Sequence, residues 1–248
     1  MQKYGLLYAN TCNLGDDIQA LAAKQFLPQV DCYIERDSIQ DFSNIKENNI
    51  KTILNGWWAH NCKSWPPPLN IKPLITSVHI HQDIKKSFLT NHSKKYCVNK
   101  EFGARDKHTY DFLIKNGFKN AYISYCLTLT LPEYSGDRNN NVLFVDADGY
   151  KNNQELTHYM PKLFNMPVEQ RLEIAKQRLE IYKKAKLVVT SRLHCALPCI
   201  ALGTPVVFIK PNLWPSRISG YEKILSYQEN TKQIKQKLIN KCKQFVEN

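Results

Sequence analysis

The stretch TSRLHCALPCIALGTPVVFI, residues 190–209, places an arginine and a histidine one residue apart at the mouth of an otherwise apolar run. Ser191, Arg192 and His194 follow a β-rich segment, Leu187 to Thr190, and lead into a helical one, Cys195 to Leu202. Free N–H groups at a helix start favour an anion, and a guanidinium adds a two-pronged hydrogen bond to phosphate or carboxylate. An imidazole beside them can hand over a proton near neutral pH. These types and spacings describe an anion site with an acid next to it. The plainer alternative is an arginine paired with a surface carboxylate and a structural histidine.

Such a cluster needs a strand-to-helix junction to hold it, because in parallel sheets ligands gather beyond the carboxyl ends of the strands. Gly203 is a natural helix stop and Val206 to Ile209 reads as the next strand, which completes a strand, helix, strand unit of parallel type. Pro198 leaves two positions open for the helix start, at Arg192 or a few residues later, since it removes one helical hydrogen bond. Upstream, Tyr4 to Ala9 reads as a strand ending in a turn through Asn10, Thr11, Asn13 and Gly15. A helix then begins at Asp16 and Asp17, either of which could cap it, with Ile18, Leu21, Ala22 and Phe26 on one face.

Lys51 to Asn55 reads as a strand stopped by Gly56, and Leu74 to His81 as another. The segment between them, NGWWAHNCKSWPPPLN, is expected to be a long ordered loop, because prolines and tryptophans deny it regular structure. A helix is expected over 106–115 with Tyr110, Leu113 and Ile114 inward, then extended chain from Ala121 to Leu131. PEYSGDRNNN, residues 132–141, is the linker candidate between an N-terminal half, 1–131, and a C-terminal half, 142–248. The second half opens with a strand from Asn141 to Asp146. Pro167 then starts a long amphipathic helix, and Ile234, Leu238, Cys242 and Phe245 share one face of a lysine-rich terminal helix.

With 34 basic against 22 acidic residues the formal charge is +12, which calls for an anionic partner. The basic residues are scattered and no nucleic-acid module is recognisable, so nucleic acid is not expected. The eight cysteines contain no CxxC pair, which excludes a zinc cluster or a secreted disulfide framework as the expectation. His79 and His81 share a strand face without a third ligand, so no metal is expected. No signal peptide or spanning segment is legible, and the protein is expected in the cytoplasm, with peripheral contact at the inner membrane face allowed by the lysine-rich tail.

Several stretches together resemble the polysaccharide pyruvyl transferase family. They are NLGDDIQALAAKQFLP, FGARDKHTYDFLIKNG, SYCLTLTLP and AKLVVTSRLHCALPCIALGTPVVFI, with NGWW and WPPP between the first two, in the family's order. The resemblance implies two Rossmann-like parallel-sheet halves facing a cleft, as in GT-B glycosyltransferases. It also implies transfer of a pyruvyl group from phosphoenolpyruvate to a saccharide or lipid-linked saccharide, leaving a cyclic ketal and phosphate, with no cofactor. The family's S-R-L-H arginine and histidine fall on Arg192 and His194, its R-D arginine on Arg105, and its N-x-G-D element on Asn13, Gly15 and Asp16. Cys195 stands where relatives commonly have glycine, and Asn55 to Trp58 replace a glycine-rich segment; at 248 residues the chain is shorter than many relatives and looks most like a compact subgroup with the tryptophan-rich loop.

On that resemblance His194 is the acid that protonates the methylene carbon, Arg105 and Arg192 with Ser191 hold the donor's phosphate and carboxylate, and Asp16 receives a proton from the acceptor. Asp106 either orients Arg105 or caps its helix. The acceptor sugar is assigned to Asn13, Gly15, Asp17 and an aromatic platform of Trp57, Trp58 and Trp65, with His60 and Asn61 bonding hydroxyls. Asp146 and Asp148 follow the first strand of the second half and could bind acceptor hydroxyls or a loop backbone, and His158 is placed at the cleft border. The alternatives are a GT-B-type glycosyltransferase using a nucleotide sugar and a non-catalytic sugar-binding relative.

Overall fold

The computed structural model describes residues 1–45, 49–59, 61, 64–147, 155–210, 215–228 and 230–248. Its strands form two all-parallel sheets. The first has the order β2-β1-β3-β4-β5-β6, built from β1 (Tyr4–Tyr8), β2 (Cys32–Glu35), β3 (Ile50–Trp58), β4 (Ile71–Ile80), β5 (Phe102–Ala104) and β6 (Ala121–Ile123). The second has the order β10-β9-β7-β8, from β7 (Val142–Val145), β8 (Glu155–Leu156), β9 (Leu187–Thr190) and β10 (Val206–Phe208). Runs such as VLFV and LVVT suit strands covered by helices on both faces. The helices are α1 (Leu14–Lys24), α2 (Lys85–Phe88), α3 (Asn91–Cys97), α4 (Lys107–Lys115), α5 (Val168–Lys184), α6 (Leu193–Leu202), α7 (Glu222–Tyr227) and α8 (Thr231–Glu247). This is the α/β, two-sheet architecture that the sequence implies.

One continuous core crosses between the sheets. Leu14, Ile18 and Ala22 of α1 pack with Leu172, Ala175 and Leu179 of α5 and with Leu143 and Val145 of β7. At the chain's end α8 reaches back to the first sheet rather than staying with the second. Lys51 donates through Nζ to the Val246 carbonyl at 2.9 Å, and Lys241 pairs with Glu101 at 2.6 Å. No helix among the described residues is long and apolar enough to cross a membrane.

Local expectations fail where tertiary contacts override local signals. Asn13, not either aspartate, caps α1, accepting from the Gly15 amide at 3.2 Å. β3 does not stop at Gly56 but runs on to Trp58 through an irregularity between Leu54 and Gly56, with Gly56 at φ 100. That positive φ suits glycine, and it marks a bulge rather than an end. Ile114 is exposed, not inward. Past β6 the chain leaves the sheet and coils into a single 3₁₀ segment over 127–130, with Leu127 and Leu129 buried. Of the two open positions for α6, the structure has the earlier one. Arg192 is the cap, Leu193 the first helical residue, and the backbone kinks at His194 (φ −83, ψ 16).

Candidate functional site

The carboxyl ends of the two sheets face one another, and two side chains meet there. Arg105, the residue after β5, is fully buried, and its Nη1 donates to His194 Nε2 at 3.3 Å and to Gln19 Oε1 at 3.3 Å. A guanidinium can only donate, so Nε2 carries the lone pair and the ring proton is assigned to Nδ1. Burial first, then the charges of Arg105 and Arg217, holds His194 well below the usual imidazole range, so the ring is neutral at pH 7. Gly15 makes room for it: a Cβ there would lie 3.0 Å from His194 Cβ and 3.3 Å from Nδ1.

The rest of Arg105 is the decisive feature. Its Nε and Nη2 are buried without a hydrogen-bond partner among the described residues. The nearest carboxylate, Asp106, has an oxygen 3.7 Å from Nε, too far for a good hydrogen bond. Asp106 is committed elsewhere. Its Oδ1 accepts from the Thr109 amide at 2.9 Å, capping α4, and its Oδ2 accepts from His79 Nδ1 at 2.5 Å. Burial alone would raise the Asp106 carboxyl, but His79, Arg105 and the Thr109 amide outweigh it and keep it below the usual range. Burial pushes His79 down to about 4, so its proton stays on Nδ1 and its Nε2 is a buried lone pair without a partner. Buried N–H groups of a charged side chain are rarely left unpaired, so the Arg105 fork stands open to an acceptor that the described residues do not supply.

A family model, polysaccharide pyruvyl transferase, matches residues 13–212. The chain belongs to that family. Membership assigns it a pyruvyl-transfer type of activity in general terms, and the stretches GARD and TSRLH that carry the likeness are those that bring Arg105 and His194 into contact. Among solved structures it is similar to a functionally uncharacterised protein from Klebsiella pneumoniae subsp. pneumoniae, with a TM-score of 0.54, 17% identity, and coverage of 93% of this chain and 91% of that one. At that identity the likeness concerns the fold. No curated protein matches the chain.

Around this centre the expected residues divide. Asp16 is nearby and buried, its Oδ2 accepting from Thr11 at 2.8 Å and its Oδ1 from Gln19 at 3.1 Å, with Arg36 at 3.9 Å. Asn13 reaches it only at 3.5 Å. Asp16, Gln19, Arg36 and Asn55 line a tight crevice at the ends of β1 and β3 that has room for about one water. Arg192 sits at the rim with its Nε on Asp146 at 2.9 Å, and Ser191 Oγ donates to the Asp146 carbonyl. Asp146 is thus an anchor for the S-R-L-H turn, held in turn by Thr157 at 2.6 Å and the His158 amide at 2.8 Å.

Other expectations are corrected. Asp17 does not face an acceptor, because both its oxygens are spent on Arg171, at 2.8 and 3.0 Å. Trp58 and Trp65 form no sugar platform. They are buried in the first half's core, where Trp65 stacks on Phe88 at 4.4 Å, because the apolar rings gain more from packing than from lining a wet cleft. Trp57 alone lies on the cleft side, half-buried beneath the Arg217 guanidinium at 4.5 Å. His158 is buried against Tyr182 at 2.8 Å and does not border the cleft. Asn61 donates to the Asp37 carbonyl at 2.6 Å. His60 and Asp148 lie outside the described residues.

Sequence reasoning missed Gln19, His79 and Arg217. Gln19 follows Asp16 by three positions, so helical spacing puts both on the α1 face toward Arg105, and that signal was available. His79 is the imidazole beside Asp106, legible only once β4 and β5 are known to be neighbours. Arg217 carried no local signal.

Proposed function

We propose that this protein transfers a pyruvyl group from phosphoenolpyruvate to two hydroxyls of one sugar, on a GT-B-like arrangement of its two halves. The observation that carries the proposal is the buried Arg105 fork, two nitrogens without an acceptor among the described residues, in direct contact with His194. Arg105 binds one anionic end of the donor, and Arg192 approaches from the rim as a further cation, with Ser191 fixing its turn. The donor brings three negative charges next to His194. That reverses the field that keeps the imidazole neutral, so His194 takes up a proton as the donor binds. The imidazolium gives that proton to the methylene carbon, and the first sugar hydroxyl attacks the adjacent carbon, losing its own proton to Asp16. The carbon–oxygen bond to phosphate then breaks, the second hydroxyl closes the ring, and its proton leaves with the phosphate. One proton thus ends on carbon and one on phosphate, Asp16 returns its proton to solvent and so balances the one His194 took up on donor binding, and no redox partner is needed.

The acceptor hydroxyl meets Asp16 at the mouth of its crevice, which is too tight to take the sugar ring itself, so the ring stays in the cleft outside it. The experiment is incubation with phosphoenolpyruvate and a panel of free and lipid-linked sugars, followed by phosphate release and product mass. The expected product is heavier than the acceptor by one pyruvate less one water. Phosphate release without a new saccharide mass, or sugar transfer from a nucleotide sugar under the same conditions, would replace this reading.

A further inference from the structure

We propose that Arg217 is a substrate-binding residue of the same anion site, a second, part-buried guanidinium that holds one end of a doubly anionic molecule whose other end lies on Arg105. The proposal rests on the donor reading above and extends it to a residue outside the stretches that carry the family likeness. Arg217 belongs to the short 3₁₀ turn Pro215–Ile218, and the chain just after it is pinned to the Arg105 strand end. Tyr221, fully buried, donates its hydroxyl to the Arg105 carbonyl at 2.8 Å, and the Ser219 carbonyl accepts from the Lys107 amide at 2.9 Å. The turn is therefore fastened across the cleft, next to Arg105.

Three features show that the guanidinium is held for a ligand. Its Nε is buried without a hydrogen-bond partner among the described residues, as are Arg105 Nε and Nη2, so these two arginines hold three unanswered nitrogens. The ring of Trp57 supports Arg217 from below at 4.5 Å, which steadies the cation without consuming an N–H. The two carboxylates that face it, Asp16 and Asp106, have their oxygens engaged by Thr11, Gln19, His79 and Thr109. Burial, and after it the charge of Arg105, draws Arg217 down to about 10, still charged at neutral pH. Like charges kept together with free donors need an anion with more than one charged group. Arg192 is a poorer candidate for this place, since its Nε is on Asp146 and its side chain is 41% exposed.

The test is calorimetric titration of the full-length protein with phosphoenolpyruvate and, separately, with inorganic pyrophosphate, a second two-ended anion. Wild type, Arg217→Gln, Arg217→Lys and Arg105→Gln are compared, and each is melted in phosphate-free buffer. Arg217→Gln is expected to weaken phosphoenolpyruvate roughly 10–100-fold, the loss typical of a charge-assisted hydrogen bond, with Arg217→Lys recovering part of it. Its melting temperature should be unchanged or higher, because a repulsive pair is relieved. Binding by Arg217→Gln within about twofold of wild type, or a loss accompanied by a lower melting temperature, overturns the proposal. If wild type ignores phosphoenolpyruvate but binds pyrophosphate in an Arg217-dependent way, the donor assignment fails and the two-arginine clamp stands. Arg217-independent pyrophosphate binding, or no anion binding at all, removes the clamp.

Discussion

Arg171 and Arg105 are both fully buried, yet they have opposite surroundings. Arg171 has every nitrogen answered. Nε and Nη2 grip Asp17 at 2.8 and 3.0 Å, Nη2 also donates to the Ala9 and Thr11 carbonyls at 2.9 and 3.0 Å, and Nη1 donates to the Leu163 carbonyl. It stitches α5 to α1 and to the turn that leads into it, and so fixes the first half against the second. Arg105 spends one nitrogen on Gln19 and His194 and leaves two unanswered. Equal burial therefore carries different meanings. A saturated guanidinium is architecture, and the unsaturated one at the mouth of the two sheets is the group the proposed function gives to the donor.

The largest effect expected from this contrast is on stability. Arg171→Met strands the Asp17 carboxylate in the core and should cost about 3–5 kcal/mol in urea unfolding. Replacing both partners, Asp17→Leu with Arg171→Met, should recover most of it, since the pair gains little over apolar packing once both charges are gone. A cost of less than about 1 kcal/mol for the single change would mean that Arg171 is not the stitch between the halves. Arg105→Met should behave in the opposite way. Turnover is expected to fall roughly 10²–10³-fold, as when an oriented donor to a developing anion is lost, while stability stays within about 1 kcal/mol of wild type. A stability loss as large as that of Arg171→Met would erase the distinction.

The contrast also explains what could be read in advance. The S-R-L-H turn was legible because strand, cap and helix are contiguous there, and Gly203 ends α6 in the left-handed conformation that its type suggests. The α5 helix was legible from its spacing, with Pro167 just before it. Asp17 was misread because its partner stands 154 residues away and no local pattern names it. Trp58 and Trp65 were misread because a proline-rich neighbourhood looks like a surface loop, while the tertiary core takes the rings in. Unanswered N–H groups are a property of the folded state alone, so Arg105 could be placed by family likeness but its two open donors could not.

Neutral imidazoles give the comparison a pH dependence. His79 falls to about 4 and His194 lies well below the usual range, both chiefly through burial. A depressed imidazole contributes stability that is complete above its unfolded value near 6.5 and is lost as pH drops toward its folded value. For His79 alone the window from about 6.5 to about 4 represents about 3 kcal/mol. Thermal melts should therefore show stability declining below pH 6.5, with a shallower decline in His79→Asn. Donor binding should show the reverse linkage at His194. Calorimetry at pH 7 in buffers of different ionisation enthalpy should register proton uptake on binding phosphoenolpyruvate, and His194→Asn should abolish it. Uptake that survives in His194→Asn would move the acid elsewhere.

The smallest expected effect tests how tightly His194 must be held. A Cβ at Gly15 would stand 3.0 Å from His194 Cβ and 3.3 Å from its Nδ1, so the ring must yield by a few tenths of an ångström. Alanine is the better helix former by up to about 1 kcal/mol, and Gly15 lies inside α1. Gly15→Ala should therefore leave stability nearly unchanged, the propensity gain offsetting the crowding. Misplacing an acid by a fraction of an ångström should still lower turnover by roughly tenfold with little change in KM, because the proposed function leaves donor binding to the arginines. Unaltered turnover would show that the close approach of α1 to His194 is only packing, and the case for His194 would then rest on its contact with Arg105.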